Sequence, residues 1–317
     1  MGGMAVAALL AAVAVGSAQG ASALLRAHWP RRSPAAAILL WQALGLASGL
    51  AAVGALLAVG VGGQGTRRAG VLGGLTMLAR RLAAGHWLDP NEPLAVTAVR
   101  ALTLAAGFAL LTVLWLVLVM AFAAAIGARR RQRELLALLA HGDPKAPGAL
   151  VIDYPAAAAY CLPGIRSQIV VSAGTLDLLA PAELAAVLAH ERAHLRARHD
   201  LVLIPFTSLR RAFPRSRVIT QAYQNVALLV EMMADDRALR VRGLVARELA
   251  TALLRFGTAG TRCAVPAGAL AVAEGELTAR VNRLLAPPPP LSRPVQAVIV
   301  LAAAVLAAAP VLLLITP

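Results

Sequence analysis

The sequence predicts a mostly α membrane protein in which four transmembrane helices carry one α+β domain. Three observations predict it. Of the 317 residues, 59% are hydrophobic, and the mean hydropathy is +0.73; a soluble domain sits nearer half apolar. The excess is gathered into four runs, 4–25, 35–61, 101–126 and 295–315, none of which contains Lys, Arg, Asp or Glu. Each approaches or exceeds the roughly 20 residues that cross a bilayer. Between the third and fourth runs lies a polar stretch of ordinary composition, long enough for one globular domain.

The first run resembles a secretory signal only in the small residues Ala21, Ser22 and Ala23. No Lys or Arg precedes it, and it is longer than a typical signal core. It is therefore expected to stay as a span with its N-terminus outside. Arg26, Arg31 and Arg32 follow it and place the first loop in the cytoplasm. The second run carries Gly45 and Gly49, a spacing that lets helices approach closely. Contact with a neighbouring span of the same chain is the expectation, and a homodimer is the alternative.

Residues 62–100 form an outer loop with helical spacing over 75–84. Its Arg67, Arg68, Arg80, Arg81 and Arg100 outnumber Asp89 and Glu92, against the charge rule for an outer loop. Arg129, Arg130, Arg131 and Arg133 mark the exit of the third run as cytoplasmic, and the polar domain with it. The expected division is 1–127 for three spans and the loop, 128–293 for the polar domain and 294–317 for the fourth span.

Within the polar domain, 149–153, 156–161 and 168–172 read as short strands, the last richest in β-branched residues. Pro181 suits a first helical position, and Glu183 complements the helix dipole in the first turn. That helix should run to about Arg198. Others fit 218–241, 244–256 and 273–285, and the prolines at 287–290 stiffen the link to the last span.

The net charge of +15 raises the question of nucleic acid. The arginines flank the apolar runs or scatter, with no basic block interleaved with aromatics, so the lipid bilayer is the expected partner and nucleic acid is not. Cys161 and Cys263 form no CxxC pair, which fits neither a zinc knuckle nor a disulfide framework. The spans lack the intramembrane charges that transport sites need.

The chemistry sits in His190-Glu191-Arg192-Ala193-His194, an HExxH in the middle of a predicted helix. Positions i and i+4 share one helix face, so both imidazoles can reach one zinc ion at about 2.0–2.1 Å. Glu191 can then take a proton from a water whose pKa zinc lowers to about 7. The flanking Leu184, Val187, Leu188 and Leu195 would bury this helix, leaving the polar trio in need of a metal or partners. Glu231, 37 residues past His194, supplies a third ligand, since two His and one Glu make a catalytic zinc set with one position open. Asp235 lies one turn on, where a carboxylate can accept the free N–H of a ligand histidine.

His-Glu-x-x-His followed by Glu231-x-x-Ala234-Asp235 resembles the gluzincin membrane peptidases, among them the HtpX and CAAX-protease group and the BlaR/MecR-type signal-transducing peptidases. The stretch from Ile169 to Leu176 and then 184–195 look most like the BlaR/MecR type, as does the order of three spans, zinc domain and fourth span. The resemblance implies a cytoplasmic gluzincin-type zinc endopeptidase that cleaves a protein, in the best-known members a transcriptional repressor. The chain given stops at Pro317 with no extracellular sensor domain, so β-lactam sensing is not carried over. The alternatives are an HtpX-like quality-control protease of membrane proteins and a catalytically inactive membrane receptor.

The strand around 169–172 is expected to be the edge along which a substrate peptide adds. His199 is expected at the surface rather than beside the metal, and Asp200 follows it. Tyr223 and Arg237 are candidates for stabilising an oxyanion, by location only.

Overall fold

The computed structural model describes residues 3–62, 66–85, 92–164, 167–260 and 267–315. Cys263, Arg67, Arg68 and Asp89, singled out above, lie outside the described residues or side chains. The chain divides into two compact units, 1–119 with 291–317, and 120–290.

The first unit holds α1 (Gly3–Arg26), a 3-10 turn (Trp29–Arg32), α2 (Pro34–Val61), α3 (Thr66–Ala83), the first part of α4 (Leu94–Leu139) and α11 (Arg293–Ile315). Four of these, α1, α2, α4 and α11, are long and apolar enough to cross a membrane. Their apolar runs stay helical, α11 even across Pro310, so apart from the bond that proline removes their backbone groups are satisfied within each helix, as a lipid-facing segment requires. The helix α4 overruns its apolar stretch: the basic residues 129–133 continue it to Leu139.

Within this unit α1 and α2 run antiparallel, with Leu10 against Gly54 and Leu44 against Gly20. Val6, Leu10, Val53 and Leu57 form the packed seam. Gly49 meets Leu114 of α4, whereas nothing lies within 4 Å of Gly45. The closest approach of α2 to α4 comes further along, where a Cβ on Gly60 would collide with Leu104 and one on Gly107 with Leu57. Arg100 of α4 pairs with Glu92, which offsets part of the loop's positive charge.

The second unit begins within α4 and contains a four-stranded sheet: β1 (Ala140–Gly142), β2 (Leu150–Ile152), β3 (Ala159–Leu162) and β4 (Gln168–Ser172), in the order β1-β2-β4-β3. The β2/β4 pair is parallel; β1/β2 and β3/β4 are antiparallel. Six helices follow: α5 (Ala173–Leu178), α6 (Pro181–Ala197), α7 (His199–Ala212), α8 (Arg217–Ala238), α9 (Ala246–Gly260) and α10 (Ala267–Leu285).

The strand β4 is interior, which overturns the edge reading. It pairs on both sides and is covered on both faces: Ile169 and Val171 pack with Val187 and Leu188 of α6, and Val170 packs with Leu136 of α4 and Leu162. Its unbroken apolar run is the mark of a strand buried on both faces. The sheet's two edges are β1 and β3, the second of them next to β4.

Two fully buried hydroxyls fix the approach to β3. Ser172 Oγ accepts from the Ala158 N–H at 2.9 Å and donates to the Ala156 carbonyl at 2.8 Å, and Thr175 Oγ1 donates to the Ala158 carbonyl at 2.9 Å. The segment entering β3 is thereby held against the end of β4.

Candidate metal centre

The helix α6 starts at Pro181, with the Glu183 carboxylate accepting the Ala180 N–H at 2.9 Å. One of its faces packs on the sheet through Leu184, Val187 and Leu188, and another packs on α8, α9 and α10 through Ala186 and Ala189. Held on both sides, α6 presents His190 and His194 one turn apart. Ser216 caps the start of α8, and Val226, Leu229, Val230 and Met232 bury it, so Glu231 is carried to the same point.

His190 Nε2 and His194 Nε2 lie 3.0 Å apart, and Glu231 lies 3.3 Å from the first through Oε2 and 3.5 Å from the second through Oε1. Ligand atoms about 2.0–2.1 Å from an ion at tetrahedral corners are separated by roughly 3.4 Å. The three donors therefore fit a single metal ion, and all lie within 4.8 Å of one another.

The outer nitrogens point the same way. His190 Nδ1 lies 2.9 Å from Asp235 Oδ1, off the line of a straight hydrogen bond but close enough to keep the proton on Nδ1. His194 Nδ1 lies 3.0 Å from His199 Nδ1. With protons held on the outer nitrogens, two lone pairs and a carboxylate face a common centre, an arrangement that calls for a cation. Without one, His190 would hold a proton: burial alone would lower its pKa, but the Asp235 and Glu231 carboxylates outweigh burial and push it up to about 9.

His199 is 1% exposed, not at the surface as expected. Arg198 adopts a left-handed conformation (φ 50°, ψ 45°) between α6 and α7, and this turn sends His199 back beneath His194. Burial, with the neighbouring charges of His194 and Arg237, drops its pKa to about 3, so it is a neutral acceptor for the His194 proton. The adjacent Asp200 instead pairs with Arg129 at 2.6 Å.

Arg280 on α10 joins the centre without any motif signal of its own in the sequence. Its Nη1 lies 2.9 Å from Glu231 Oε2, and its Nε and Nη2 grip Asp235 at 3.0 and 2.8 Å. One turn on, Arg283 grips Asp236 at 2.6 and 2.8 Å. Burial opposes ionisation of Glu231 and Asp235, but His190 and Arg280 reverse that and hold both carboxyls below their usual range. The only hint in the sequence was two arginines spaced like the apolar Val281 and Leu284 beside them.

A cleft of about 280 Å³ opens beside the donors, lined by Ala157–Ala159 at the start of β3, by Val187, Leu249 and Phe256, and by Glu191, Glu231 and Arg280. Burial raises the Glu191 pKa, against the pull of His190 and His194. The Cys161 thiol of β3 is a neighbour of Glu191. Neither oxyanion candidate lines this cleft: Arg210 lies over the Tyr223 ring at 4.0 Å, and Arg237 faces His199 on the other side.

Residues 125–280 match the family model for peptidase family M48. The match ends on Arg280 and covers every residue of the centre. It supports a metallopeptidase, a hydrolase of peptide bonds that depends on a metal. No curated protein and no solved structure matches the chain.

Proposed function

We propose that the chain is a membrane-anchored zinc endopeptidase that hydrolyses a peptide bond of a cytoplasmic protein. The observation that carries this reading is the convergence of two imidazole nitrogens and one carboxylate at 3.0–3.5 Å, with Glu191 in the same cleft. Nitrogen-rich sets of this kind suit Zn²⁺, whereas Mg²⁺ and Ca²⁺ take oxygen. When bound, zinc supplies Lewis-acid polarisation of the scissile carbonyl and acidifies a water.

The chain's own residues do the rest. Glu191 accepts the proton of the attacking water and delivers it to the leaving amine, a role helped by a proton affinity that burial raises. Asp235 and His199 hold the two imidazoles so that their inner nitrogens stay free of protons. The free edge of β3, reached from Ala157–Ala159 on the lip, suits an extended peptide added as a further strand. Val187, Leu249 and Phe256 form an apolar wall for one of its side chains.

The cytoplasmic side follows from the arginines after the first and third apolar runs. Regulatory cleavage of one protein such as a repressor, as the BlaR/MecR resemblance implies, is the leading biological role. Metal analysis of detergent-purified protein tests the site: about one zinc per chain is expected, lost in His194→Ala and in Glu231→Ala. A well-folded wild type without zinc would overturn it. Glu191→Gln then serves as a trap. Retention of one soluble protein supports the regulatory role, and retention of many membrane proteins replaces it with quality control.

A further inference from the structure

On the far side of α6 from the metal donors lies a second concavity, of about 910 Å³. Arg192 and Arg196 enter it from α6, and Arg237, Arg240 and Arg242 enter it from the end of α8 and the turn beyond. Ala189 and Ala193 give it an apolar floor, and no Asp or Glu lines it. Among the described residues none of the five guanidiniums has a carboxylate partner. Arg192 donates to the Pro147 carbonyl, and Arg237 lies 3.5 Å from His199 Nε2, neither of them a carboxylate.

An arginine-rich chain scatters positive charge everywhere, so the contrast within the same unit matters. There Arg129, Arg255, Arg280 and Arg283 each have an acidic partner. Other arginines of the unit, such as Arg130, Arg211 and Arg247, also form no ion pair among the described residues, but they lie on separate helices, whereas these five converge on a single concavity. Like charges gathered in a pocket with low-dielectric walls raise its potential and draw in an anion. Guanidiniums bind carboxylates through paired N–H donors.

We propose that this pocket is an exosite that holds an acidic segment of the protein substrate, away from the bond to be cut. The shape favours a peptide. Lipid headgroups present a plane, which does not enter a concavity floored by alanines, and a single inorganic anion fills little of the space. No aromatic side chain lines the pocket to stack a base. Tethering through a second site raises the effective concentration of the scissile segment at the metal. The inference rests on the peptidase reading, but its binding step can be measured separately.

The test uses the full chain with Glu191→Gln in detergent and a fluorescent hexaglutamate peptide, read by anisotropy. Saturable, salt-sensitive binding is expected, weakened about tenfold or more by Arg196→Glu with Arg240→Glu, both at exposed positions. A neutral hexapeptide should not bind. Equal affinity in wild type and variant, or no binding of hexaglutamate, overturns the proposal. So does competition by phosphatidylglycerol vesicles that bind through the same arginines when the peptide does not. Zinc content measured on the same samples separates the two readings: peptide binding through these arginines to a chain that takes up no zinc would sink the peptidase reading and leave the anionic pocket standing.

Discussion

Arg280 grips both oxygens of Asp235, at 3.0 and 2.8 Å, and Asp235 in turn lies 2.9 Å from His190 Nδ1. Arg280 also reaches Glu231 at 2.9 Å, so one side chain on α10 fixes a candidate metal donor and the partner of another. Positioning groups of this kind are worth about 10–100-fold in metal affinity. Arg280→Lys keeps the charge but cannot make both contacts at once. Zinc affinity measured by chelator competition should fall by about that factor. Wild-type affinity would mean that Glu231 and Asp235 are held by α8 alone.

His199 gives a second prediction at the other imidazole. As a neutral acceptor it keeps the His194 proton on Nδ1 and the lone pair on Nε2. His199→Gln can still accept a hydrogen bond, whereas His199→Leu leaves a buried N–H without a partner, which costs about 1–3 kcal/mol. The leucine variant should bind zinc about tenfold more weakly than the glutamine variant. Equal affinities would show that His194 is oriented by packing alone.

The contrast between these two residues and the donors shows what was legible in the sequence. His190, Glu191 and His194 were readable because helical periodicity alone puts i and i+4 together. Glu231 and Asp235 shared the same logic on the next long helix. Arg280 was not readable, because its acidic partner lies 45 residues away and the contact depends on how α10 packs on α8. The surface expectation for His199 fails because a single left-handed residue, Arg198, turns it inward, which no periodicity signals. The strand β1 carries no strand pattern and exists only as the partner of β2. For β4 the signal was present, since an Ile-Val-Val run fits an interior strand better than an edge.

Cys161 makes a prediction about pH. Burial, together with the Glu191 and Asp200 charges, pushes its thiol from 9.0 up to about 12. At pH 8 iodoacetamide should label Cys161 only in unfolded protein, tested in a Cys263→Ser background. Below about 9 both folded and unfolded chains keep the proton. From there to about 12 the unfolded chain releases it and the folded chain does not, so stability falls as pH rises through that window. Cys161→Ala should flatten that part of the curve of urea midpoint against pH. An unchanged curve would show that the thiol titrates alike in both states.

Arg198 tests whether the turn that buries His199 is strained. It is the only non-glycine with positive φ among the described residues. A side chain in that region costs roughly 1–2 kcal/mol. Arg198→Gly removes the cost but makes the unfolded chain looser, which gives back about 0.4–1 kcal/mol. The expected net effect is a stabilisation of up to about 1.6 kcal/mol by those two figures, read as a higher urea midpoint at unchanged slope. Arg198→Val should move the midpoint the other way, since a β-branched residue tolerates this conformation least. Zinc affinity serves as the second readout. If glycine lowers stability and weakens zinc together, the Arg198 side chain supports the centre through contacts of its own, and the left-handed turn is not the source of the strain.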